Sequence, residues 1–146
     1  MKATAALLAA TYAFTVAALA IAWLKGGRAE RAGVLLLVGM VLFSWVSKVI
    51  FGARFASVDP LALVEDFIGF AGFTWIGLHA RRVWPLCAAA LQLLSLGAHF
   101  AREVDIGVHP MAYSLMKTVP TLLVCLLVAT GAVGCQRRRR RALAKG

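Results

Sequence analysis

The sequence predicts an all-α polytopic membrane bundle of about five transmembrane helices. Three observations lead there. Five stretches of the chain are each long and apolar enough to cross a bilayer, which takes roughly 20 residues as a helix. The hydrophilic segments between them alternate between strongly basic and mixed in charge. The composition, 62% hydrophobic and 15% charged over 146 residues, departs from soluble domains, which are nearer half apolar and a quarter charged. A soluble fold this small has too much surface for its volume to hide that much apolar area.

The first span covers 5–24. Lys2 and the Ala18-Leu19-Ala20 run give it some likeness to a cleaved signal peptide. Cleavage would leave the basic loop that follows on the outer side, so the span is read as retained. The second span covers 33–52. The third, 61–80, follows Asp59 as N-cap and Pro60 at the helix start. The fourth, 83–101, carries Pro85 in its first turn, where the missing amide hydrogen has no intrahelical use. The fifth, 111–134, follows Pro110 and contains Pro120, which is expected to free the carbonyl of Met116 and kink the helix. Thr118 or Thr121 is placed to relieve the freed groups. Residues 1–136 thus form one membrane domain, and 137–146 a basic tail.

Orientation follows from lysine and arginine. One side collects Lys25, Arg28 and Arg31, then Arg81 and Arg82, then Arg137, Arg138, Arg139, Arg140, Arg141 and Lys145, against the single acid Glu30. The other side has Lys2, Arg54 and Arg102 with Asp59, Glu103 and Asp105. Basic loops stay in the cytoplasm, so the amino terminus is expected outside and the carboxyl terminus inside. The run Arg137 to Arg141 is read as a topology anchor that attracts anionic lipid headgroups and not nucleic acid. Trp23, Trp84 and Tyr113 fall at span ends, as in an interfacial belt. Trp45 and Trp75 lie deeper and are expected to face other helices.

The ionisable residues inside the spans are the candidate site. Lys48, Glu65, Asp66, His99, Arg102, Tyr113 and Lys117 come from four helices and share one depth near the outer leaflet. A charge in hydrocarbon costs about 2.5–3.5 kcal/mol on insertion scales, so such groups pair or face water. Lys48 or Lys117 with Glu65 or Asp66 is the economical pairing. Functionally the set reads as an outward polar pocket for a small ligand, an ion or a proton, with His99 as the type of side chain that changes charge near neutral pH. Structurally it reads as interhelix salt bridges with lysines snorkelling outward. Glu65 and Asp66 project about 100° apart on a helix, which argues against joint acid–base catalysis.

Other chemistry is sparse. His79 and His99 fall at opposite ends of their spans and cannot share a metal. The three cysteines, Cys87, Cys125 and Cys135, have no paired spacing for a disulfide framework or zinc motif, and Cys125 is expected to pack as a small apolar residue. Gly69, Gly72 and Gly77 mark a face of span three that other helices approach closely. Phe67, Phe70 and Phe73 face lipid or a partner helix, and Gln92 and Ser95 are read as interhelix hydrogen-bonding groups. No nucleotide-binding loop or protease motif is present, and no cofactor or metal is expected.

The favoured function is an accessory or structural subunit of a larger membrane assembly, or a self-associating protein. An oligomeric channel or carrier using the outer polar cluster is the alternative, and a membrane-embedded enzyme ranks last. High Ala, Leu and Arg content and compact loops suggest a bacterial inner membrane.

Overall fold

Backbone polar groups in lipid must be hydrogen-bonded within the protein, and a helix does so within one segment. The computed structural model follows that rule. It describes residues 2–51, 60–104 and 110–144, with side chains over 9–50, 60–100, 119–138 and 140–144. Among these residues there are five helices and no strand: α1 (Lys2–Lys25), α2 (Arg28–Phe51), α3 (Pro60–Ala80), α4 (Val83–Val104) and α5 (Pro110–Leu143). Four contain apolar stretches long enough to span a membrane: Arg28–Ile50, Pro60–Ala80, Val83–Phe100 and Val119–Leu143. α1 adds the apolar segment Ala9–Lys25. The fold is an all-α bundle of the integral membrane type.

Each helix packs on its neighbours in sequence, and α5 closes the set by packing on α1. The most extensive contact is between α3 and α4. The core is built from small and medium side chains: Ala18 and Ala22 of α1, Val34, Leu37 and Met40 of α2, Phe73 of α3, Ala88 and Ala89 of α4, and Val124, Cys125, Val128 and Ala132 of α5. Alanines let helix backbones approach, which replaces the hydrophobic drive that lipid removes. Gly69 does the same for α3. A Cβ there would lie 2.7 Å from Met40 Cε and 2.9 Å from Gln92 Nε2. Cys125 is buried among apolar neighbours, as its mid-span position suggests.

Several expectations need correction. Trp45 and Trp75 do not face other helices; they are 65% and 66% exposed on the outer surface of the bundle. Depth along a helix says nothing about rotation around it, and these indoles rotate outward. Trp75 stacks instead on His79 of its own helix, with ring centroids 3.8 Å apart. α2 begins at Arg28, so the basic segment expected as a loop forms its first turn, and only Gly26 and Gly27 separate α1 from α2. The basic tail is likewise no separate segment. α5 runs through Pro120 and on to Leu143, 34 residues, or about 51 Å at 1.5 Å per residue. That exceeds a hydrocarbon core of about 30 Å, so the arginine run is the helix's projecting end. Phe67, Phe70 and Phe73 divide as their 100° steps require: Phe67 is exposed, Phe70 half-buried and Phe73 fully buried. Asp59, Arg54, Asp105 and His109 lie outside the described residues.

Candidate functional site

Between Val83 and Phe100, helix α4 carries one polar stripe: Gln92, Ser95 and His99, all buried. Their spacing of three and four keeps them on one side of the helix. That side meets α3 where Gly69 thins the surface and Asp66 sits one turn earlier. Ser95 Oγ donates to Asp66 Oδ2 at 2.7 Å. His99 Nε2 donates to the same oxygen at 3.0 Å. His99 is 1% exposed, and the Asp66 side chain 13%. Asp66 is six residues into α3, about 9 Å from its start, so the cluster lies toward the end of the bundle opposite the Arg137–Arg141 run.

Part of the expected site is thus assembled, with a different partner. Asp66 is hydrogen-bonded to His99 rather than paired with a lysine. Lys48 is exposed and lines a small cleft with Ser44, Ser47 and Glu65. Glu65 turns away from Asp66 toward α2, where it also borders a groove with Gly39 and Met40. The side chains of Arg102, Tyr113 and Lys117 lie outside the described residues.

The chemistry of the cluster is constrained by which atom meets which. In a nucleophilic triad the serine is hydrogen-bonded to the imidazole, and the carboxylate orients the imidazole from its far side. Here both hydroxyl and imidazole converge on one carboxylate oxygen. The imidazole therefore does not stand between the Ser95 hydroxyl and the carboxylate, as it does in such a triad. The arrangement ties α4 to α3 and holds a carboxylate and an imidazole in direct contact within the apolar layer.

A second polar constellation, absent from the sequence reading, occupies the basic end. Glu30 is 1% exposed. Its Oε2 accepts from Gly27 N at 2.8 Å, and its Oε1 from Trp84 Nε1 at 3.2 Å. Gly27 and Glu30 are N-cap and N3 of α2, so the first bond is the backward half of a capping box. The Gly-Gly-x-x-Glu pattern at 26–30 was the available signal. Trp84 is held from three sides. A Cβ at Gly33 or at Gly131 would each come within 2.8 Å of its ring, and Phe73 meets it edge-on at 6.3 Å between centroids. Nearby, Arg31 lies 5.7 Å over the Trp23 ring and its Nε donates to Trp23 O.

Among the described residues no group of three or more His, Cys, Asp or Glu side chains is placed to hold a metal. Comparison with known protein families, curated proteins and solved structures finds no match to this chain.

Proposed function

We propose that this protein is a small structural or accessory subunit of a larger membrane assembly, embedded in a bacterial inner membrane with its arginine-rich end in the cytoplasm. The observation that carries the reading is an apolar groove between α3 and α4, beside the contact in which Asp66 accepts from Ser95 and His99. The groove is lined by Leu63, Phe67, Phe70, Leu93, Leu96 and Phe100, with Gly97 among them. An outward apolar groove bearing a glycine suits a protein whose work is contact with another transmembrane helix.

Purification in mild detergent tests this. A partner retained in fixed stoichiometry, or a defined oligomer, supports it. A lone monomer that carries ions or protons in liposomes overturns it. The carrier reading draws on the same Asp66–His99 pair, since ionisable residues within spans often mark proton paths. It requires Asp66→Asn to abolish flux while the fold persists. Orientation is tested separately by reporters at the two ends, expected in opposite compartments.

A further inference from the structure

At the basic end a cavity of about 360 Å³ lies between the α3–α4 turn and the last turns of α5. Arg81 and Arg82 border it from the turn, and Arg138 with Gly131 and Gly134 from α5. None of these three arginines has a carboxylate partner among the described residues. The nearest acid, Glu30, is already engaged by Gly27 and Trp84. Arg138 is folded back along its helix, with Nη1 3.6 Å from where a Cβ on Gly134 would sit. The first amides of α4, which begins at Val83, add the positive end of a helix at the same level. Arg81 holds φ at 50°, a left-handed conformation that glycine adopts without strain.

We infer that this cavity binds the phosphodiester headgroup of one anionic phospholipid. Guanidinium groups recognise phosphate oxygens by paired hydrogen bonds, and basic pockets between transmembrane helices hold anionic headgroups. A lipid is favoured over a soluble phosphate by what adjoins the cavity. Val83 lines it and is largely exposed on the first turn of α4, an apolar border of the kind an acyl chain can lie against. This inference rests on the membrane reading and is independent of any protein partner.

The test uses the full chain in detergent, titrated with phosphatidylglycerol, phosphatidylcholine or inorganic phosphate, with bound adducts read by native mass spectrometry. One phosphatidylglycerol is expected to be retained in preference to phosphatidylcholine and to survive excess inorganic phosphate. Arg82→Gln with Arg138→Gln lowers that retention about tenfold or more. Arg140→Gln with Arg141→Gln removes equal charge from outside the cavity and changes it less than about twofold. Gly134→Leu fills the cavity with every charge kept and matches the loss of the first pair. It also decides the question if the arginine variant fails to fold. Equal losses from both arginine pairs, or no loss in Gly134→Leu, means diffuse attraction and overturns the site. Displacement by inorganic phosphate overturns the lipid.

Discussion

Asp66 takes two donors from one neighbouring helix on a single oxygen, and that sets what its removal costs. Breaking a buried charged contact in a soluble core costs about 3–5 kcal/mol. Interhelix hydrogen bonds in membranes average nearer 0.6 kcal/mol, with a maximum of about 1.7, because the unfolded chain in lipid finds other partners. The membrane figure governs here. A double-mutant cycle of Asp66→Ala and His99→Ala, read by denaturation in detergent, is expected to give a coupling of about 1 kcal/mol. A coupling indistinguishable from zero would mean that the two side chains do not act as a pair. Asp66→Asn keeps an acceptor for both donors and should lose less than Asp66→Ala. The same logic applies to Glu30, where Glu30→Gln retains an acceptor for the indole and the Gly27 amide that Glu30→Ala lacks. How much of this was legible in the sequence follows from geometry. Residue spacing placed Asp66 and His99 at one level, where the two meet. It did not say which way each turns, and one residue of rotation, 100°, separates Asp66 in the α3–α4 contact from Glu65 toward α2. That rotation turns Glu65 into the cleft that Lys48 lines and gives Asp66 to Ser95 and His99.

Helix positions were legible because the bilayer imposes a minimum apolar length, and the five spans fall where five helices form. Their ends were less so, because a helix does not stop where hydrophobicity does. Arg28 to Ala32 continue α2 downward under the Glu30 cap, and the arginine run continues α5 outward. The α3–α4 turn shows how an end is made. Arg82 N bonds back to Gly77 O at 3.3 Å, with Arg81 left-handed between them, the six-to-one closure of a Schellman turn. Arg81→Gly is expected to raise stability in detergent by up to about 1 kcal/mol, since the left-handed state costs a residue with a Cβ about 1–2 kcal/mol and glycine's freer unfolded chain returns part of it. The same change should weaken phosphatidylglycerol retention. A stability gain without that loss would separate the turn from the lipid site. Gly131→Ala should act in the opposite sense. Its Cβ would press on the Trp84 ring from one side while Gly33 bounds it from another, and the indole can yield only by straining its bond to Glu30. A cost of about 1–3 kcal/mol is expected by the overpacking rule, seen as a lowered thermal midpoint.

Taken whole, the bundle leaves an unusual pair of facts on its outer surface. Large apolar groups stand exposed there, including Phe67 at 58% and Phe100 at 62%, as suits contact with lipid or another helix. Gly97 stands between them on the exposed side of α4, and a Cβ placed on it would meet nothing within 4 Å. A glycine in a helix interior costs about 0.8–1.0 kcal/mol relative to alanine. Gly69, Gly77 and Gly131 offset that cost by close packing inside the chain, but Gly97 does not. Its compensation must come from outside the chain if it has any, and a second helix seated in the groove between α3 and α4 is the contact a missing side chain permits. Two substitutions separate these terms. Gly97→Ala should raise the stability of the isolated protein by a few tenths to about 1 kcal/mol. Gly97→Leu should leave the isolated bundle folded, since the space is open, while filling the groove and releasing the partner or breaking the oligomer seen in mild detergent. Full association of the Gly97→Leu protein would assign the groove to lipid and move the assembly surface elsewhere on the bundle.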